Sequence, residues 1–396
     1  MAHQDRRAFL RRTGLVVAPA VVGGAALSHP VAATATPEHR APVPAALRPG
    51  GELDRYLSAL AAEDRFSGTV LVTRHGHPVL SRSFGYADKS RGIRNTGDTI
   101  YCLASVTKLF TAVAVAQLVQ QGTVAFEKTV GTYLDGFPGA IADTVTVHQL
   151  LTHTSGMGDY HGIDGYFTAA AGWSTAEQVL SGTLDFIRRE PLSLRPGTGH
   201  QYSNSGYTTL GAIVAAASGL SYYDYIRQHV FAPAGMADTD FHTTPRWRSD
   251  PRIAHPYSRQ PTGQRVDIVD QQHLFVGLPD GNAFSTAPDM ARFAGALLDG
   301  TLVSPAFTDL VVGAKVPVAT LPPKPGLPAK TRFQAYGPAA TLGNGTWAVG
   351  HNGGSPGIST LVEWYPPSGW LAVKLSNYDP QDTMAVDGTI QAILTR

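Results

Sequence analysis

The two ends of the chain carry the same pattern in mirror order, and this restricts the fold more than any other feature. Residues 52–66 repeat apolar side chains at helical spacing, and the β-rich runs GTVLVT and PVLSRSFGYA follow around the turn RHGH. Near the C-terminus, ISTLVEWY and WLAVKLSN flank PPSG, and a helical pattern then closes the chain. Two such hairpins can complete one sheet. The pattern therefore predicts an antiparallel β-sheet built from about 51–115 and 280–396, flanked by N- and C-terminal helices.

The middle of the chain, about 115–280, has a different pattern. Its apolar residues recur at helical spacing between turns, and β-rich runs are few. Helices are predicted at Leu109–Gln121, Ala176–Arg188, Thr208–Ser218 and Tyr222–Val230. The chain is therefore expected to have an α+β fold in which an all-helical domain is inserted between the two halves of the sheet.

The first 35 residues are typical of an export signal rather than of a folded domain. The start MAHQDRRAFLRR is basic, an apolar run extends from Leu15 to Leu27, and small residues follow. The paired arginines resemble a twin-arginine signal, with cleavage near Ala33 or Ala35. A membrane anchor is the alternative, but the apolar run is too short to cross a bilayer. We expect an exported protein without a stable membrane span, with 36–50 as a Pro-rich linker.

Charge and cysteine content restrict the partners. The whole chain has a net charge of +1, which gives no basic surface for nucleic acid. Its single cysteine, Cys102, cannot form an internal disulfide, and neither CxxC nor HExxH occurs. We therefore expect a small-molecule or peptide substrate, no metal and no organic cofactor. The oligomeric state stays open.

A Ser-x-x-Lys motif, Ser105 to Lys108, lies where an irregular segment becomes the predicted helix SVTKLFTAVAVAQLVQQG. Positions i and i+3 of a helix share a face, so the hydroxyl and the amine can meet. The positive end of the helix dipole favours an oxyanion near the serine. A lysine in water is protonated at neutral pH, so Lys108 could act as a base only where it is buried among suitable neighbours. Taken alone, the motif is better explained as a capping serine followed by a surface lysine.

Two further motifs support a chemical role. Tyr202-Ser203-Asn204 lies in PGTGHQYSNSGY, and GHNGGSPG spans 350–357. Each has a purely structural alternative, namely a turn beside a buried aromatic ring and a Gly-rich turn between strands. Chemically, a phenol can move a proton, and a carboxamide can donate to and accept from a substrate amide. Glycines let an acyl group approach the backbone closely.

In this order and spacing, Ser105-x-x-Lys108, Tyr202-x-Asn204 and His351-x-Gly353 resemble the motifs of the serine β-lactamase-like family. That family includes class C β-lactamases, DD-carboxypeptidases, D-amino-acid peptidases and related esterases. The resemblance covers nearly all of the chain after the predicted signal. It implies that Ser105 is the nucleophile that forms an acyl-enzyme, that Lys108 takes its proton, and that Tyr202 activates water or another acceptor in the second step.

The resemblance also implies roles in substrate binding. Asn204 would hold the acyl side chain of the substrate, and His351 and Gly353 belong to the third motif. The backbone N–H groups of Ser105 and Gly354 would form the oxyanion hole, which is usually a large contribution to acyl transfer. No glutamate matches the deacylation base of class A enzymes, because Glu190 reads as a helix-end charge.

The expected activity is hydrolysis of an ester or a D-configured amide or peptide through an acyl-enzyme. A transacylase that passes the acyl group to an amine or alcohol in natural-product biosynthesis is the alternative, and a non-catalytic binding module is a weaker one. Asn352 stands where DD-carboxypeptidases often have threonine, and the third motif offers no fixed positive charge unless Arg246 or Arg248 supplies it. Small esters or blocked amides are therefore expected to be better substrates than D-Ala-D-Ala peptides.

Four other residues lie near the motifs but receive no catalytic role. His153 is expected to be structural. Tyr160, Tyr166 and Trp173 lie between the first two motifs and could line the cleft.

Overall fold

The computed structural model describes residues 42–322 and 329–396. The predicted signal peptide lies outside the described residues, and twin-arginine export stays a prediction. The predicted linker is described only from residue 42 onward. There Ala45–Leu47 form a 3₁₀ turn, and Leu47 is fully buried, so the packed part of the chain begins before residue 51.

Eight strands form one central antiparallel sheet, as the mirrored ends of the sequence predict. The strands of the structure are, in chain order, β1 (Gly68–Arg74), β2 (His77–Phe84), β3 (Tyr86–Asp88), β4 (Ile93–Arg94), β5 (Tyr101–Cys102), β6 (Tyr257–Arg259), β7 (Arg265–Asp267), β8 (Phe284–Ser285), β9 (Val316–Leu321), β10 (Lys330–Gln334), β11 (Ala339–Gly343), β12 (Thr346–Ser355), β13 (Ile358–Tyr365) and β14 (Trp370–Ser376). The sheet order is β2-β1-β14-β13-β12-β11-β10-β9. The hairpins β1–β2 and β13–β14 join because β1 pairs with β14, from Gly68 opposite Ser376 to Arg74 opposite Trp370.

Helices cover the sheet and fill the middle of the chain. They are α1 (Glu52–Ala62), α2 (Lys108–Gln120), α3 (Gly139–Ala142), α4 (Val147–Leu151), α5 (Tyr166–Ala170), α6 (Ala176–Ile187), α7 (Asn204–Ser218), α8 (Tyr222–Ile226), α9 (Thr244–Ser249), α10 (Ala287–Leu298), α11 (Pro305–Val312) and α12 (Pro380–Leu394). The four helices predicted in the middle correspond to α2, α6, α7 and α8. The inserted region is not helical throughout, because β6 and β7 pair within it as a short hairpin.

The sheet is buried on both faces. Val70 and Val72 of β1 pack into a cluster that contains Leu57 of α1 and Ile390 of α12. Leu71, between them, faces the larger cluster that includes α2 and α10. This explains why GTVLVT reads as a continuous apolar run rather than as an alternating strand.

The last three strands on one side of the sheet, β11, β10 and the edge strand β9, have no clear signal in the sequence. Most of their side chains are only partly buried, so the apolar alternation that marks a strand is weak. Pro317 lies in β9, and proline is tolerated there because β9 is the last strand of the sheet.

Among residues 42–322 and 329–396, no helix is both long and apolar enough to cross a membrane. The same described residues contain no group of three or more His, Cys, Asp or Glu that could hold a metal ion. Cys102 is buried in β5, and this burial raises the pKa of its thiol to about 12. The thiol is therefore protonated at neutral pH, which fits a packing role.

Candidate active site

Ser105 lies in the 3₁₀ turn Ala104–Thr107, which leads directly into α2. The preceding Ala104 has φ +46°, a left-handed conformation that residues with a Cβ adopt rarely. Asn282 holds this bend, because its N–H donates to the carbonyl of Ala104 at 3.2 Å. In the first helical turn the N–H of Ser105 has no acceptor within the helix, so it can donate to a ligand.

Lys108 is fully buried and contacts three oxygen atoms. Its Nζ lies 3.3 Å from Ser105 Oγ, 2.8 Å from Asn204 Oδ1 and 2.6 Å from the carbonyl oxygen of Asp280. The amide and the carbonyl oxygen can only accept. A neutral Lys108 can therefore donate its two N–H bonds to them and direct its lone pair at the hydroxyl of Ser105. The structure brings Ser105 and Lys108 together, as their spacing predicts, in the geometry that a general base needs.

The second motif is positioned by the start of α7. The side chain of Ser203 caps this helix by accepting from the N–H of Gly206, which explains why α7 begins earlier than its apolar pattern predicts. Tyr202 and Asn204 therefore flank a helix cap. The N–H of Ser203 in turn donates to Nδ1 of the fully buried His153, at 3.1 Å.

His153 contacts two residues of the second motif, Ser203 and Tyr202. Its ring packs against that of Tyr202 at a centroid distance of 4.4 Å. Burial, and then the positive charge of Lys108, hold the pKa of His153 well below its usual range. A neutral imidazole can accept from Ser203, so the structural interpretation of His153 fits its contacts.

Tyr202, to which the family resemblance assigns a role in proton transfer, contacts Lys108 through its ring. The side chain is 42% exposed and lines the same cleft as Ser105. Lys108 Nζ lies 4.8 Å from the centre of its ring, so the contact is with the ring face. Within the part of the chain that the structure describes, the hydroxyl forms no hydrogen bond with Ser105 or Lys108. A proton transfer by Tyr202 would therefore need a bound water or substrate between these groups.

The third motif lies on β12, and its residues play different structural parts. His351, Asn352 and Gly354 line the cleft, but Gly353 is buried. A Cβ at Gly353 would lie 2.3 Å from the carbonyl oxygen of Leu103. Gly353 thus lets β12 pack against the segment that carries Ser105, whereas the sequence suggested that this glycine makes room for substrate.

Gly353→Ala is expected to lower both stability and activity, because the new methyl group forces β12 away from Leu103. Overpacking of this kind costs about 1–3 kcal/mol. Urea denaturation and kcat/KM measure the two effects. Gly354→Ala is the matched control, since its Cβ would meet only the side chain of Pro380, at 3.0 Å, and its N–H is kept. Equal losses in both variants would contradict this packing role.

His351 does not supply a positive charge. Its Nδ1 lies 2.6 Å from the carbonyl oxygen of Asn352, so Nδ1 carries the proton and donates. Burial, and then the charge of Lys108, lower the pKa of His351 to about 3. The imidazole is therefore neutral at pH 7, in agreement with the expectation that the third motif lacks a fixed charge.

The cleft nevertheless contains a cation, Arg332, that was not predicted from the sequence. Its volume is about 370 Å³, and it is lined by Ser105, His200, Tyr202, Val318, Arg332, Phe333, Gln334, Ala339, His351, Asn352 and Gly354. Arg332 projects from β10, is exposed, and forms no ion pair with any described residue. Arg246 and Arg248 lie elsewhere, paired with Asp250 at 3.3 Å and Asp270 at 2.8 Å.

A second cavity, of about 360 Å³, adjoins the site through Asn282 and through Ser355, the residue after Gly354. It is lined by His161, Phe167, His242, Thr244, Trp247, Ile268, Gln271, Gln272, His273, Leu274, Val276, Gly277, Asn282, Phe284, Ser355 and Pro356. None of these lining residues is Asp, Glu, Lys or Arg.

Tyr160, Tyr166 and Trp173 line neither cavity; the first two are core residues. The hydroxyl of Tyr160 donates to the buried carboxylate of Asp280 at 3.0 Å. Glu190 accepts from Ser205 of α7, which agrees with its interpretation as a structural charge.

The comparisons with known proteins agree with this geometry. The family model described as Beta-lactamase matches residues 53–395. The chain belongs to the beta-lactamase family. This confirms the resemblance inferred from the three motifs and makes the chain a member of a family of serine acyl-transfer hydrolases.

Relatives of this beta-lactamase-family chain carry several names. It is 32% identical over 347 residues to penicillin-binding protein 4* of Bacillus subtilis, covering 84% of this chain and 72% of that protein. It is 33% identical over 315 residues to esterase EstB of Burkholderia gladioli, covering 76% of this chain and 78% of the esterase. The crystal structure of a penicillin binding protein from Bacillus halodurans is 26% identical, with a TM-score of 0.73, and the match covers 85% of this chain and 99% of that one.

Proposed function

We propose that this protein hydrolyses an ester or a D-configured amide through a covalent acyl-enzyme at Ser105. The observation that carries the proposal is the 3.3 Å contact between Ser105 Oγ and a buried Lys108 Nζ whose other contacts are acceptors. Lys108 would take the hydroxyl proton as Oγ attacks the carbonyl carbon. The N–H groups of Ser105 and Gly354 would receive the oxyanion. The leaving group would depart with a proton from Lys108, and water would then release the acyl group.

A second candidate concerns the leaving group. Arg332 in the cleft favours a substrate whose leaving group ends in a free carboxylate, as in a D-Ala-D-Ala peptide, because a guanidinium binds a carboxylate through two parallel hydrogen bonds. The two substrate types lead to opposite expectations. An uncharged aryl ester does not need Arg332, whereas the peptide does.

Intact-protein mass spectrometry tests the acyl-enzyme directly. The mature chain is exposed to a panel of short-chain esters, D-peptides and β-lactams, and the mass added to the protein identifies the acyl group. We expect an adduct with at least one ester or D-peptide that is absent from Ser105→Ala. If wild type forms no adduct and turns over none of the panel, the proposal fails and the non-catalytic alternative gains.

A side-by-side comparison separates the two substrate types. kcat/KM is measured for a short-chain aryl ester and a D-Ala-D-Ala peptide with wild type and Arg332→Met. If the peptide is the better substrate and loses its advantage in Arg332→Met, the carboxypeptidase type holds. If the ester is preferred and the variant changes nothing, the esterase type holds.

Tyr202→Phe is expected to lower kcat by about 10²-fold, the lower range for loss of a positioned proton donor or acceptor. The ring contacts with His153 and Lys108 are kept, so only the hydroxyl is removed. Single-turnover kinetics with an aryl ester show whether acylation or deacylation is slowed. Full activity in this variant would mean that the ring packs the site and the hydroxyl has no role in proton transfer.

A further inference from the structure

Asn204 is held between the amine of Lys108 and the carboxylate of Asp159. Its Oδ1 accepts from Lys108 Nζ at 2.8 Å, and its Nδ2 donates to Asp159 Oδ2 at 2.9 Å. In the flipped orientation the amide NH₂ would face the lysine and the amide oxygen would face the carboxylate. Asp159 opposes that flip, because a carboxylate accepts from the amide NH₂ but cannot donate to the amide oxygen, so the amide has one favoured orientation.

Asp159 is itself fixed by His161. Its Oδ1 accepts from Nδ1 of His161 at 2.7 Å and from the N–H of the same residue at 3.1 Å. The imidazole lies against the rings of Tyr160 and Phe167, at centroid distances of 4.2 and 5.8 Å. We call Asp159 and His161 the outer pair, since neither residue contacts Ser105.

The side chains of His161 and Asp159 are 38% and 47% exposed, and each favours the charged form of the other. Burial alone would lower the pKa of His161, but the hydrogen bond to Asp159, with the charges of Asp280 and Asp159, raises it. Burial alone would raise the pKa of Asp159, but hydrogen bonds from His161 and Asn204 lower it. The carboxylate therefore stays ionised and keeps accepting from Asn204.

The orientation of Asn204 affects the base. A neutral lysine has two N–H bonds and one lone pair. If the amide turned over, its NH₂ could donate to that lone pair, and Lys108 could no longer accept the proton of Ser105. As long as Asp159 binds Nδ2, the amide offers only its oxygen to Lys108, and the lone pair remains free for the hydroxyl.

We propose that Asp159 and His161 are positioning residues that lock the amide of Asn204 and so keep Lys108 available to Ser105. The inference rests on the proposed function of Ser105 as nucleophile. It assigns the outer pair to the rate of acylation rather than to substrate affinity. Neither residue belongs to any of the three sequence motifs.

Asp159→Leu tests the inference. Two rates are measured: turnover of a short-chain aryl ester, and covalent labelling of Ser105 by a fluorophosphonate, in which Oγ bonds to phosphorus and fluoride leaves. We expect kcat/KM for the ester and the labelling rate to fall about tenfold or more, because both depend on the transition state for attack by Ser105. Asp164→Leu is the matched control, since Asp164 is an exposed carboxylate nearby that forms no hydrogen bond with any described residue.

Two variants of His161 distinguish positioning from a structural role. In His161→Asn the new Nδ2 can occupy the place of the imidazole Nδ1 and still donate to Asp159, so this variant should retain most of the labelling rate. His161→Leu removes the donor and should resemble Asp159→Leu. Melting temperatures close to that of wild type in all four variants would show that the fold is kept.

The outcomes separate the inference from the function on which it rests. Labelling of Asp159→Leu at the wild-type rate overturns the inference alone, and so does an unchanged kcat/KM for the ester. An equal loss in Asp164→Leu also overturns it. If wild-type Ser105 reacts with neither the ester nor the fluorophosphonate, the proposed function fails and the inference fails with it.

Discussion

Ser105→Ala is expected to lower kcat/KM by at least about 10³-fold, because no acyl-enzyme can form without the hydroxyl. The only side-chain hydrogen bond of Ser105 in the described structure is the one from Lys108, which keeps Asn204 and Asp280 as acceptors. The free energy of unfolding should therefore change by less than about 1 kcal/mol. Initial rates with an aryl ester, together with urea denaturation, measure both quantities. Residual activity within tenfold of wild type would mean that the nucleophile lies elsewhere.

Lys108→Met is expected to cause the second large loss of activity. The substitution keeps a long apolar chain in the buried space but removes the base, and kcat/KM should fall by about 10²–10⁴-fold. The double variant with Ser105→Ala should be no less active than Ser105→Ala alone, because the two residues act as one unit. Independent, multiplying losses in the double variant would contradict that coupling.

A second buried lysine provides the control for Lys108→Met. Lys374 is also fully buried, and its Nζ lies 2.7 Å from Asp387 Oδ1, between β14 and α12. Replacing this pair by Lys374→Met with Asp387→Asn removes a buried ammonium outside the cleft. The activity per folded molecule should stay near that of wild type, which would show that loss of a buried lysine is not by itself the cause of inactivation.

The parts of the site that follow from local rules could be predicted from the sequence. Ser105 and Lys108 meet because positions i and i+3 of a helix share a face. Ser203 caps α7 between Tyr202, which lines the cleft with Ser105, and Asn204, which contacts Lys108. Such features depend on spacing within a few residues, and the order of the motifs then identified the family.

The remaining groups could not be predicted because tertiary packing alone brings them together. Asp280 contacts Lys108 across 172 residues of sequence, and only through a backbone carbonyl, which leaves no side-chain signature. From its local sequence, Asp159 is only the capping residue of a short turn. Its contact with Asn204 depends on tertiary packing. Arg332 lies on β10, and this strand was not predicted because its apolar pattern is weak.

In the sheet, too, the features set by local sequence could be predicted, and those set by distant contacts could not. Both hairpins were predicted, since each is a local turn between two β-rich runs. The mirrored ends also predicted that the two hairpins belong to one sheet, but the pairing of β1 with β14 was seen only in the structure. The three strands beyond β12 carried no such symmetry, and their partly exposed side chains gave little periodicity.

The pairing of β1 with β14 has a consequence for synthesis on the ribosome. The hydroxyl of Ser376, at the end of β14, donates a hydrogen bond to the carbonyl oxygen of Ser67, just before β1 and 309 residues away in sequence. When β1 emerges from the exit tunnel, the strand that will lie beside it has not yet been translated. The nascent chain must therefore carry an open, apolar β1–β2 hairpin for most of its translation, and the central sheet can close only when the last strand is released.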